Sequence, residues 1–128
     1  MANARSHRDL LAWQEAMGLV EIVYKQTMAF PRDETYGLAG QMRRSAVSVP
    51  SNIAEGAARN STREYYQYLG IATGSAAELE TQLELAARLG YLKKDSDALQ
   101  HVRRVGRLVN ALRNSIGDRA RQVQRNTA

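Results

Sequence analysis

Residues 41–59 read QMRRSAVSVPSNIAEGAAR, and the spacing of the small and apolar residues in and around this stretch decides the fold. Leu38, Met42, Ala46, Val49 and Ile53 follow one another in steps of four, four, three and four. That is the repeat of one face of an α-helix. Pro50 falls inside the pattern, where it lacks an N–H and crowds the carbonyl four residues earlier. Either of two geometries fits: a helix kinked at Pro50, or a break with a new helix beginning behind Asn52 and Glu55 as a capping-box-like pair. Ser45 and Ser48 stand close enough in sequence to offer hydroxyls to the disturbed backbone. The paired Arg43 and Arg44, with Arg59 at the far end, give the same stretch a possible binding surface beside its core role.

Working outward, three more segments carry helical spacing. The first is expected over residues 7–30, where Leu10, Trp13, Met17, Val20, Tyr24 and Thr27 share one arc. Ala12, Ala16, Val23 and Phe30 widen that arc to about half the helix, broader than a simple bundle stripe. Leu11 and Ile22 fall outside it, which predicts a second packing partner, most simply another subunit. Pro31 ends this helix. The helix containing the opening stretch is expected over 34–59, with Asp33 and Glu34 favourable against its N-terminal dipole.

The third helix, over 61–89, opens on Ser61-Thr62-Arg63-Glu64, a capping box. Tyr65, Leu69, Ala72, Ala76, Leu79, Leu83 and Ala86 form its heptad seam, and Gly90 is the stop. Gly70 and Gly74, with Ala77, make a small stripe off the seam. It is either a tolerated weakness or a place where another helix comes close. The fourth helix, over 95–118, is capped by Asp95 or Ser96 and buries Ala98, Val102, Val105, Val109, Leu112 and Ile116. Arg103 and Arg107 project opposite that face, and Arg104 lies beside them. Continued past Gly117, the helix would place Arg121 and Arg125 above Arg103 and Arg107 and return Val123 to the apolar face; residues 122–128 are expected to form a short, frayed polar tail. Four amphipathic helices on short connections predict a single all-α domain over 1–128, an antiparallel up-down-up-down four-helix bundle.

The motif RRSAVSVPSNIAEGAAR, followed by Ser61, Glu64 and Tyr65-Tyr66, resembles the signature of the four-helix-bundle proteins encoded in 23S rRNA intervening sequences. Asp9-Leu10-Leu11-Ala12-Trp13-Gln14, Phe30-Pro31, Tyr36-Gly37-Leu38, and Gly74 through Leu89-Gly90-Tyr91-Leu92 fit the same family, over about residues 7–118. The resemblance implies an all-helical bundle assembling as a ring-like homo-oligomer, a pentamer. That family is also similar to accessory proteins of diversity-generating retroelements, which implies nucleic acid and a reverse transcriptase as partners. No settled activity comes with the resemblance. Leu11, Ile22, Gly70 and Gly74 are the candidate intersubunit positions.

Composition narrows the function classes. The chain has 128 residues, 44% of them hydrophobic and 24% charged, as in one soluble globular domain. It has no cysteine, which excludes disulfides, thiolate metal sites and cysteine nucleophiles. Its N-terminus lacks the apolar core of a secretory signal, and no apolar run approaches a bilayer span, so a cytoplasmic protein is expected. The two histidines, His7 and His101, share no metal-ligand spacing, and there is no Glu-x-x-His pair for a di-iron bundle. Gly37-Leu-Ala-Gly40 matches no phosphate-binding loop, and no serine sits in a nucleophile elbow. No enzyme activity and no cofactor is expected.

The formal net charge of +5 is local. Residues 93–128 hold nine basic side chains against three acidic ones, whereas the first 92 hold nine against ten. Most of the C-terminal cations are arginines, whose planar fork suits phosphate. The expected function is therefore backbone binding to RNA or DNA through Arg103, Arg107 and Arg104, with Arg43, Arg44 and Arg59 as further candidates. Those three could instead pair with carboxylates at subunit contacts. Glu78, Glu80 and Glu84 read as a solvated face or as intersubunit partners for arginine, while Tyr66 and Tyr68 could stack on bases or pack between subunits. The alternative is a protein-interaction scaffold that binds no nucleic acid.

Overall fold

The computed structural model describes residues 6–127. It contains four α-helices, α1 (Leu11–Thr27), α2 (Leu38–Ala57), α3 (Thr62–Arg88) and α4 (Asp97–Thr127), with short 3-10 turns at His7–Asp9 and Arg32–Glu34. There is no strand among the described residues. Each helix packs on its sequence neighbours, and α1 also meets α4; among the described residues the diagonal pairs have no Cα atoms within 8 Å of each other. None of the helices is long and apolar enough to cross a membrane.

Helix α2 is continuous through Pro50, so the break and its alternative cap at Asn52 do not form. Met42, Ala46, Val49 and Ile53 are fully buried, as their spacing predicts. The flank facing α3 is hydrogen-bonded instead of apolar. Ser45 donates to Glu78 Oε1 at 3.1 Å, and the Ser48 and Ser75 hydroxyls meet at 2.7 Å. Asn52 Nδ2 donates back to the Ser48 carbonyl at 2.8 Å. These bonds tie the helix together on both sides of the residue that cannot donate.

The start of α2 lies four residues later than expected, because Glu34 serves as its cap from outside. Its Oε1 accepts the Leu38 N–H at 3.1 Å, satisfying one orphan donor of the first turn. Its Oε2 accepts the Tyr91 hydroxyl at 3.2 Å, and that hydrogen bond holds the Tyr91 pKa above the ordinary phenol value. Helix α1 is shorter than expected at both ends. Leu10 is extended, and the last turn tightens into i→i+3 bonds from Ala29 and Phe30 before Pro31. The tightening swings Phe30 inward, where it packs against Tyr91 at 5.2 Å between ring centroids.

The seam of α3 is as predicted. Leu69, Ala72, Leu79, Leu83 and Ala86 have no exposed surface, and Ala76 almost none. At its start Ser61 Oγ accepts the Glu64 N–H at 3.2 Å; the reciprocal half of the box is not made among the described residues. Replacing Ser61 by alanine should lower stability by about 1 kcal/mol, measured by chemical denaturation. At its end Gly90 adopts φ +82°. Tyr91 N–H reaches the Ala86 carbonyl and Gly90 N–H the Ala87 carbonyl, a complete Schellman motif.

Helix α4 buries Ala98, Val102, Val105, Val109 and Ile116, with Leu112 partly buried beside them. It continues nine residues past the expected end at 118, so the frayed tail from 122 is a correction. Gly117 does not stop it because that position is packed: a Cβ there would lie 2.7 Å from the Tyr66 ring. Beyond it, Arg121 pairs with Asp118 and Arg125 with Gln122 along the same helix. Ser96 precedes α4, but its Oγ is buried and makes no hydrogen bond among the described residues.

Candidate nucleic-acid interface

The arginines singled out in the sequence differ sharply in how much of their charge the chain itself uses. Arg103 is the most engaged. Its Nε donates to Glu80 Oε2 at 2.9 Å, and a second nitrogen lies 3.7 Å from Glu84. The Glu80 hydrogen bond raises its pKa above the ordinary arginine value. Helix spacing places Glu80 and Glu84 one turn apart on α3, so both face the same guanidinium from across the α3–α4 seam. A phosphate arriving there would have to displace two carboxylates that also repel it.

Arg104 is engaged on the other side of α4, where its Nε donates to Glu15 Oε1 at 2.7 Å. His101 Nε2 lies 3.0 Å from the Glu15 carbonyl, so these two α4 residues clasp the same point of α1. Arg43 donates to Thr27 Oγ1 at 2.9 Å and sits over the Tyr24 ring at 4.9 Å, tying α2 to the end of α1. Arg59 donates to the Tyr68 hydroxyl at 2.6 Å, lies over that ring, and faces Glu55 at 3.6 Å.

Arg107 and Arg44 are exposed and make no ion pair among the described residues. Arg107 stands over two shallow depressions. One, about 350 Å³ between α3 and α4, has Thr73, Ala77, Gly106 and Asn110 in its lining. The other, about 500 Å³ between α1 and α4, includes Ile22, His101 and Arg104.

Arg113, which the sequence reading did not single out, belongs to this surface. Its guanidinium lies 4.0 Å from the centroid of the Tyr66 ring, and its Nε donates to the Tyr66 carbonyl at 3.3 Å. No carboxylate pairs with it among the described residues. The signal in the sequence was the pair Tyr66 and Gly70, one helical turn apart. A ring beside a residue without a side chain makes a notch, and a Cβ on Gly70 would lie 2.9 Å from Arg113.

Gly70 is thus filled from within the chain, whereas Gly74 meets nothing within 4 Å. Leu11 is half exposed, and Ile22 is partly buried against the core. Ile71, Leu85 and Leu89 add further exposed apolar surface on and just after α3. Tyr65 is partly buried in the seam; burial raises its pKa, and nearby Arg119 opposes the rise.

A comparison with curated proteins found no significant match. The model of one family, described as 23S rRNA-intervening sequence protein, matches residues 8–111. The matched span takes in α1, α2, α3 and the first half of α4, together with the stretch around Pro50. By that match the chain belongs to the 23S rRNA-intervening sequence protein family.

Proposed function

We propose that this chain is a non-enzymatic, antiparallel up-down-up-down four-helix bundle that assembles into a ring, a pentamer in the family-based expectation, and binds the backbone of RNA or DNA through α4. The observation that carries the binding role is the exposed, unpaired Arg107, set opposite the buried face of the most basic segment of the chain. Exposed guanidinium groups attract phosphate without reading base sequence. Assembly is supported by apolar side chains left outside the core at Leu11, Ile71, Leu85 and Leu89, and by the open surface at Gly74. A ring would repeat each Arg107 around its axis and multiply a weak contact.

The test is binding to mixed-sequence RNA and DNA across a salt series. Arg107→Gln should flatten the plot of log affinity against log salt by about one unit for duplex DNA. Adding Arg103→Gln should change the slope little more, because Glu80 and Glu84 already neutralise that side chain. The helical fold should survive both changes, since neither residue belongs to the core. If no nucleic acid binds even at low salt, the reading fails and a protein-interaction scaffold takes its place.

A further inference from the structure

We infer that the groove between α3 and α4 is the seat of a single strand of nucleic acid, with Arg107 and Arg113 as its phosphate contacts; this rests on the proposed nucleic-acid role. Three observations converge on it. The middle of the groove is lined by small residues, Thr73, Ala76 and Ala77 on α3 and Gly106 on α4, the Glu80–Arg103 pair closes one end, and a Cβ added at Gly106 would meet nothing within 4 Å. Arg107 and Asn110 line it on α4, and Arg113 lies beyond this lining, three residues past Asn110, where it rests on Tyr66 beside Gly70. Neither arginine is neutralised by a carboxylate among the described residues, whereas Arg103 at the groove's other end is. A polyanion is therefore directed from Arg107 towards Arg113 and away from Glu80 and Glu84.

Arg113 is also held in place before any ligand arrives. Stacking on Tyr66 and the bond to the Tyr66 carbonyl fix its plane, and only Nε of its five N–H donors is used within the described chain. A fixed fork loses less side-chain entropy on meeting a phosphate than a free one. From residue 107 to 113 the helix rises about 9 Å and the position turns by about 120°, so one strand reaching both guanidiniums must wind partly around α4 and meets them with separate phosphates.

The size of the depression favours a single strand. It is shallow and about 350 Å³ in volume. A duplex is wider than such a groove; its own major groove is what admits a helix, not the reverse. A single strand can enter, with a base laid against the Arg113–Tyr66 stack.

The experiment uses the full chain and fluorescent 20-nucleotide probes of mixed sequence: single-stranded RNA, single-stranded DNA and duplex DNA. Gly106→Glu places a side chain and a negative charge in the groove where there is open space. Ser51→Glu, on the exposed side of α2, adds the same charge elsewhere. Expected are tighter binding of both single strands than of the duplex, at least a tenfold loss for Gly106→Glu, and less than a twofold loss for Ser51→Glu. Gly106→Glu should melt no lower than the parent, so the loss cannot be ascribed to unfolding. The RNA and DNA arms then show which strand binds more tightly. Equal losses for the two glutamates, or binding of duplex as tight as of single strands, overturn the groove and leave nucleic-acid binding by α4 standing. Absence of binding to all three probes overturns both.

Discussion

Replacing Leu19 by alanine is expected to destabilise the protein by about 2–5 kcal/mol, whereas replacing Met17 should change stability by about 0.5 kcal/mol or less. Both residues lie mid-helix in α1, and both are large and apolar. Leu19 has no exposed surface, while Met17 keeps 41% of its own. Truncating Leu19 removes buried methyl groups and leaves a cavity among neighbours already packed, so the transfer and cavity costs add. Truncating Met17, at the surface of α1, removes fewer buried groups and leaves no enclosed cavity. Urea unfolding of the two variants measures the difference directly. Equal losses would mean that α1 is rotated about its axis from the orientation described.

That pair also marks where the sequence stopped being legible. In α1 the apolar positions cover so wide an arc that two parallel seams fit the same three-and-four spacing. The seam through Leu10, Trp13, Met17, Val20, Tyr24 and Thr27 is the more conspicuous, because most of its side chains are large. The chain buries Ala12, Ala16, Val23 and Thr27 of that arc together with Leu19, packs Leu10, Trp13 and Val20 partly against the core, and leaves Met17 and Tyr24 exposed. Small residues permit close approach to α2 and α4, and periodicity alone does not weigh close approach against side-chain size. In α2, α3 and α4 the apolar arc is narrower, and there the spacing located the buried faces correctly.

The arginines were legible as a charge excess but not as a site. Composition counts a guanidinium in the same way whether or not a carboxylate faces it. Arg103 and Arg107 are four residues apart on one side of α4, and nothing local distinguishes them. The distinction comes from α3, where Glu80 and Glu84 reach Arg103 and stop short of Arg107. Arg113 escaped notice for the converse reason, since its partners are a ring and a missing side chain on another helix. The helix ends failed in a similar way. Glu34 reads as an ordinary first-turn acid, yet it sits before the helix and caps it with its side chain. The end expected at 118 lies beside Gly117, yet the helix runs through it, and Tyr66 occupies the space its side chain would have taken.

The same logic separates two glycines of similar appearance. Gly56 and Gly74 both lie inside helices, where substitution by leucine improves intrinsic helix propensity by up to about 1 kcal/mol. At Gly74 that gain should be realised within the folded chain, because an added Cβ meets nothing within 4 Å. At Gly56 an added Cβ would lie 2.8 Å from Tyr68 Cβ, 2.9 Å from Tyr65 Cδ1 and 3.3 Å from the Tyr65 carbonyl oxygen. Two of those atoms are backbone or bonded directly to it, so a rotamer change cannot clear them; α2 and α3 must move apart. Gly56→Leu should therefore cost about 3 kcal/mol or more, at or beyond the upper end of ordinary overpacking. At a dilution where every variant is monomeric, thermal unfolding of the two should move in opposite directions from the parent. A Gly56→Leu protein as stable as the parent would refute the close approach of α2 and α3 at their junction. Light scattering on Gly74→Leu adds the test of assembly: if a neighbouring subunit packs on that open surface, the variant keeps its helical content and loses the oligomer, and an intact oligomer removes Gly74 from the interface.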